Sequence, residues 1–271
     1  MWLPDPLHLA FAPDGLRFCV LDGLLRKVRE HGVIPITADA VAAAATPWQP
    51  WVEALTTWLA ERPGRKFELH VVLFDGFVRY QMLPWRPGIF SNQEWQAYAR
   101  HRFQDVYGER SANWRIQVGV TPPGESALAT AIDSGLLEEL RALVASPSKL
   151  LSVQPRFVAG YNHWRHKLKG KSCWFAANES GRICLGFLDK GRWRVLRNES
   201  HDELSVQDMA ELLHRLDLGL DEQAAVAPVY LSGEFSWKEL PAQLVGHPLH
   251  SLQLPTRWNA GRRQLAAARG L

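Results

Sequence analysis

The chain has 271 residues, of which 46% are hydrophobic, 22% charged and 10% aromatic, with a net charge of +3. These fractions belong to globular protein and exclude a disordered, collagenous or disulfide-rich secreted chain. The small positive charge is too weak to argue for nucleic acid, no run approaches the roughly 18 apolar residues that span a bilayer, and Met1-Trp2-Leu3-Pro4-Asp5-Pro6 lacks the basic and apolar regions of a signal peptide. The simplest expectation is a cytoplasmic protein.

Leu7–Phe11, Leu16–Leu21 and Leu25–Ile36 read as strands, separated by Asp14-Gly15 and Asp22-Gly23. Asp-Gly between apolar runs signals hairpins because such turns take positive φ, so the chain opens with a three-stranded antiparallel meander. Pro47–Arg62 is a helix with Trp51, Leu55, Trp58 and Leu59 on one face, stopped by Pro63-Gly64. Glu68–Phe74 is a near-continuous apolar strand, which predicts burial on both faces. Asp75-Gly76 is expected to turn it back into an antiparallel Phe77–Leu83. Ser91 caps a helix to Tyr107, with Glu94 completing a capping box and Trp95, Ala99, Phe103 and Val106 inward.

Strands at Trp114–Val120 and Leu128–Ile132 follow, then a helix at Ser134–Ala145 with Leu136, Leu140 and Leu143 inward. A strand at Lys149–Val153 and a helix opened by Pro155 and running to Leu168 come next. Beyond the basic Lys167–Lys171, a second meander covers Ser172–Ala177, Arg182–Leu188 and Arg192–Arg197. A helix at Ser205–Leu216, a strand at Pro228–Leu231, a helical Leu240–Leu244 and a last strand at His250–Leu254 complete it. Thr256–Leu271 holds four arginines and no acid and reads as a frayed helix or tail. The halves share one order of meander, helix, strand and helix, a duplication at lobe scale. The expected fold is α/β with two lobes, residues 1–154 and 155–255, followed by a basic tail, 256–271. Each lobe is a mixed sheet opening with a meander and packed with helices.

Little else points to chemistry. His163 and His166 have metal-ligand spacing on a helix, but Arg165 and Lys167 crowd them and no acid is near. Arg156–Lys171 carries five cations and no acid, which a helix C-terminus favours without any ligand; the sharper reading is a contact for acidic lipid or an acidic partner. Cys19, Cys173 and Cys184 sit on apolar strand patterns and read as buried, inert thiols. There is no nucleophile elbow, Walker loop or dinucleotide fingerprint. The twelve tryptophans are the odd feature. Trp2, Trp48, Trp85, Trp237 and Trp258 stand in loop contexts, where an interface role competes with core packing.

The duplicated, meander-first α/β pattern resembles the actin-like ATPase superfamily, with its ribonuclease H-like lobes. Leu69–Trp85, Trp95–Arg100 and Leu151–Pro155 resemble segments of PilM-like and GspL-like bacterial assembly proteins, cytoplasmic components of type IV pili, MSHA-type pili and type II secretion. The resemblance runs from about Leu7 to Leu254. It implies two phosphate loops, each a strand, Asp-x-Gly and small hydroxyl residues, whose backbone N–H groups cradle phosphate while the Asp organises Mg²⁺, and a later Gly-Gly for adenosine. This chain departs at all three. In the first loop the Asp and Gly positions read Ala10 and Ala12, and Pro13 removes a donor ahead of Asp14 and Gly15. In the second they read Ala176 and Asn178, with Glu179 beside Ser180 and Gly181. In the adenosine motif, Ser232-Gly233 keeps one glycine of two.

The resemblance with these departures implies a pseudo-ATPase with no catalytic residue, no metal and no bound ATP or Mg²⁺. It would act as a scaffold whose partner is an inner-membrane assembly protein, through its cytoplasmic peptide, or the hexameric assembly ATPase. GspL-like proteins continue into a membrane helix, which makes this chain PilM-like in architecture or a piece of something longer. The alternatives are a residual ATP binder or slow ATPase, and an unrelated two-lobe binding protein. If the loops are vestigial, replacing Ser180 or Gly233 should leave function nearly unchanged, and removing the tail from Arg257 onward should leave the fold stable.

Overall fold

The computed structural model of the chain describes residues 4–144, 148–179, 181–220, 226–237, 239–254 and 260–271. β1 (Asp5–Ala12) and β2 (Gly15–Leu21) pair antiparallel, Leu7 opposite Val20 and Ala12 opposite Gly15. β3 (Val28–Pro35) adds antiparallel to β2. The first turn is formed by Pro13-Asp14, with Gly15 already in the strand. The second connection is longer than the expected two-residue turn. The Asp22 carboxylate accepts from the N–H groups of Leu24 and Leu25 at 2.9 and 2.7 Å, an Asx turn that delays β3 to Val28.

α1 (Ala38–Ala43) is a short helix capped by Thr37, without a buried residue. α2 (Gln49–Ala60) has Pro50 in its first turn and buries Trp51, Val52, Leu55 and Trp58. Burying each such side chain contributes about 1.5–3 kcal/mol. β4 (Phe67–Leu73) pairs parallel with β1, His8 opposite His70. Every residue of β1 is buried, as a central strand with both faces covered requires.

Asp75-Gly76-Phe77 forms a single 3₁₀ turn, not a hairpin turn. The Asp75 carboxylate accepts from the Phe157 N–H at 3.0 Å, which anchors the turn to the start of a later helix and redirects the chain. β5 (Arg79–Leu83) therefore does not return along β4. α3 (Asn92–Tyr107) has the expected Ser91–Glu94 capping box. β6 (Trp114–Val118) and β7 (Ala127–Asp133) follow, and β5 pairs antiparallel with β7 in a sheet of order β5-β7-β6. Ala99 and Phe103 of α3 pack on Ala127, Ala129 and Ala131. Val106, expected inward, is 57% exposed; the i+4 stripe continues to Tyr107, whose ring lies 4.9 Å from that of Trp114.

α4 (Ser134–Ala142) is capped by Asp133 and buries Leu136 and Leu140. β8 (Lys149–Pro155) pairs parallel with β4 at the sheet edge, where Pro155 is tolerated as the last strand residue. α5 (Arg156–Leu168) begins one residue later. This sheet has the order β3-β2-β1-β4-β8.

β9 (Cys173–Glu179), β10 (Arg182–Asp189) and β11 (Arg192–Ser200) form the second meander. α6 (Val206–Asp217) starts at a Ser205–Asp208 capping box and buries Met209, Leu212, Leu213 and Leu216. β12 (Val229–Gly233) pairs parallel with β9. The stretch expected to be helical near Leu240 is instead a hairpin of β13 (Gln243–Leu244) and β14 (His247–Ser251). Val245 and Gly246 both take positive φ, 49° and 88°, the geometry of a tight hairpin turn. The second large sheet has the order β11-β10-β9-β12-β14-β13, so β9, β12 and β14 repeat the arrangement of β1, β4 and β8.

The tail expectation is corrected. α7 (Ala260–Ala267) packs on β2 and β3. Ala266 and Ala268 are buried, and Leu265 and Ala268 join a cluster with Cys19, Leu21 and Val28. Small residues let the helix approach closely, so removing it would uncover apolar strand surface. The contacts divide the chain into two compact units. One is Met1–Phe77, Asp133–Gly160 and Leu254–Leu271; the other is Val78–Ile132 and Tyr161–Gln253. Neither is contiguous, in contrast to a single cut after residue 154. Among the described residues no helix is long and apolar enough to cross a membrane.

Candidate functional site

The positions singled out as remnants of a nucleotide site lie at two strand turns and one strand end. In the first unit, Pro13 and Asp14 form the β1–β2 turn. The indole N–H of Trp51 donates to the Ala12 carbonyl at 2.8 Å and lies 3.2 Å from the Gly15 carbonyl. A helix tryptophan thus closes the base of the turn, its ring 5.1 Å from that of Phe77. The Asp14 carbonyl accepts from the Ile36 N–H at 3.2 Å, and its exposed carboxylate pairs with Arg17 at 3.3 Å. A β-carbon on Gly15 would sit 2.5 Å from the Ile34 carbonyl oxygen, so this glycine serves the β2–β3 pairing. With proline supplying no donor, the turn offers an anion the Asp14–Arg17 ion pair rather than a row of N–H groups.

In the second unit, the parallel pairing of β9 and β12 sets Ala177 against Ser232 and Asn178 against Gly233. The second-loop and adenosine positions are therefore side by side. Gly181 lies in the β9–β10 turn at φ +79°; Ser180 lies outside the described residues. Asn178 occupies the position where a phosphate turn wants glycine, and its side chain is buried. Its amide NH₂ donates to the Glu234 carbonyl. Its amide oxygen lies 3.0 Å from His201 Nε2 and accepts that ring's proton. Both ends of the amide thus tie the three strand ends together. The carboxyl group of Glu179 is buried beside them.

Gly233 is not a silent remnant. It has φ +99°, and a β-carbon there would lie 2.1 Å from the Asn178 carbonyl oxygen. The close approach of the two backbones demands glycine. A side chain at this position is therefore expected to cost stability.

The other candidates lie elsewhere. His166 Nδ1 lies 3.1 Å from the His163 carbonyl, and among the described residues no group of three His, Cys, Asp or Glu side chains could hold a metal. Arg156, the first cation of the basic stretch, is buried. The three thiols are buried, and burial pushes Cys19 and Cys173 up to about 11, far from thiolate chemistry. Every tryptophan among the described residues is buried or partly buried; Trp237, expected in a loop, packs on Phe235 and donates to the Leu204 carbonyl at 2.7 Å. Trp2 and Trp258 lie outside the described residues.

One polar cluster escaped the sequence. His8 and His70, opposite each other on parallel β1 and β4, stack with ring centroids 4.7 Å apart. Ser152 Oγ lies 3.0 Å from His70 Nδ1, and Arg269 just beyond α7 donates to His8 Nε2 at 3.2 Å. An arginine only donates, so His8 is neutral with its proton on Nδ1. Burial, then Arg269 and His70, push the His8 pKa down to about 3; burial also lowers His70. Alternating strand residues hint at which face each histidine takes, but not that the strands pair in that register.

A group whose native pKa is depressed in this sense is protonated first in the unfolded chain. Stability is therefore unaffected above pH 6.5 and falls as pH drops from there towards 3. At pH 5 the loss from His8 should be about 2 kcal/mol. Urea midpoints at pH 7 and pH 5 check this, with His8→Asn flattening the difference.

No family model matches the chain, and no curated protein matches it. Solved structures do. The cytoplasmic domain of EpsL, an inner membrane component of the type II secretion system of Vibrio cholerae, is similar over 97% of this chain and 94% of that chain, with TM-score 0.57 and 12% identity. A structure described as the PilM–PilN type IV pilus biogenesis complex is similar over 98% of this chain and 97% of that chain, with TM-score 0.61 and 16% identity. A Bacteroides thetaiotaomicron protein with an actin-like ATPase fold and unknown function covers 97% and 95%, with TM-score 0.62 and 11% identity. At such identities the likeness is one of fold. Two five-strand cores of the same order, each opened by an antiparallel meander, carry the same conclusion from the coordinates: this chain has the actin-like ATPase fold.

Proposed function

We propose that the chain is a non-catalytic scaffold on the cytoplasmic side of a type IV pilus or type II secretion-like machine, and that it binds an inner-membrane assembly protein. The observation that carries the loss of nucleotide chemistry is the buried Asn178 amide, bonded to Glu234 and His201 where a phosphate turn would be bare. Pro13 at the first turn argues the same way, because it removes an N–H donor from the place where a phosphate would be cradled. The likeness to the EpsL cytoplasmic domain and to PilM, over nearly the whole of each chain, supports the machine class. It also supports the kind of partner, since one neighbour is part of a membrane component and the other is named in a complex.

Calorimetric titration of the full chain with Mg·ATP tests the first part: a flat trace is expected, and saturable micromolar binding would overturn it. Affinity capture by the full chain from membranes of its native cell, with the bound inner-membrane proteins identified, tests the second. Capture is expected whether or not nucleotide is present, and no capture would overturn the scaffold reading.

A further inference from the structure

The β2–β3 loop of the first unit takes no part in the candidate site, yet it displays the most exposed pair of adjacent apolar side chains among the described residues. Leu24 and Leu25 leave 76% and 64% of their surface in water. A slack loop would fold such a pair back onto the protein. This one is held open. The Asp22 carboxylate accepts from both leucine N–H groups, at 2.9 and 2.7 Å, and from Arg29 at 2.6 Å. The Gly23 N–H donates to Asp5 Oδ1 at 3.0 Å. Main-chain bonds from Asp22 to Lys27 and from Arg26 to Asp22, 2.8 and 3.0 Å, close the loop, with Arg26 in the left-handed region at φ 54°. Asp5 is itself paired with Arg29 and Arg65.

The acids at the base are thus engaged by backbone and arginine, while Arg26 and Lys27 stand exposed directly behind the leucines. An apolar tip with a cationic collar matches an anionic bilayer surface. Apolar side chains enter the boundary between headgroups and acyl chains, and the cations remain among the headgroups. A protein pocket for two leucines would have no need of the collar. We propose that Leu24–Lys27 is a membrane-surface anchor that inserts its leucine pair into anionic lipid. The proposal does not depend on the scaffold reading, because vesicle binding needs neither nucleotide nor a protein partner.

The test is co-sedimentation of the full chain with vesicles of phosphatidylglycerol and phosphatidylcholine, beside vesicles of phosphatidylcholine alone. Partition onto the anionic vesicles, weakening with salt, is expected. The double variant Leu24→Ser, Leu25→Ser should lower the partition coefficient at least tenfold. Arg26→Gln with Lys27→Gln should lower it about thirtyfold, at about 1 kcal/mol per cation. All four side chains are exposed, so melting temperatures should match the parent; Leu24→Ser alone serves if the double variant does not. A Leu24→Cys variant labelled with an environment-sensitive dye should shift to the blue on anionic vesicles. No partition of the parent chain, or full partition by the leucine variants, would overturn the proposal. So would a leucine pair needed only for capture of a purified protein partner.

Discussion

Trp51→Ala should destabilise the protein by about 4 kcal/mol, the range in which a buried tryptophan is lost to a cavity. The indole fills space against Phe77 and also satisfies the carbonyls that end β1 and begin β2. Trp51→Phe keeps most of the volume and removes the donor, so it isolates the second contribution, about 1–2 kcal/mol. Urea denaturation of the two variants separates them. Equal and small losses would mean that the turn holds itself without the indole.

Gly233→Ala should cost about 3 kcal/mol, from forcing a side chain into positive φ and from driving its β-carbon against rigid backbone. The obstacle is the Asn178 carbonyl, part of a central strand that cannot shift without disturbing β10 on its other side. Ser232→Ala, one residue earlier, should cost less than 1 kcal/mol. Chemical denaturation of the pair provides the comparison. A Gly233→Ala protein as stable as its parent would show that the end of β12 relaxes away from β9.

The meanders, the helix faces of α2 and α6 and the capping box at Ser91 were legible because each is a local pattern: alternation, i+4 spacing, a side chain three residues from its donor. Partners were not. Asp75-Gly76 has the composition of a hairpin turn, but the Asp75 carboxylate is claimed by a helix 82 residues later, and β5 finds its mate in β7. Val245-Gly246 escaped for a related reason: a valine at positive φ is sterically unfavourable and is not read as a turn residue. At the nucleotide-like positions, the sequence revealed which residues were missing. What replaced them was hidden. Trp51 read as an ordinary core residue, and Asn178 and Gly233 acquire meaning only through the parallel register of β9 and β12.

The closing helix has a consequence for biosynthesis. α7 covers Cys19 and Leu21, and Arg269 reaches back to His8. A ribosome adding about 5–20 residues per second releases the amino-terminal hairpin many seconds before its cover exists. Until residues 260–271 have emerged, those strands face water on that side. The first unit thus completes itself late, and a nascent chain stalled short of α7 would present a bare sheet to chaperones.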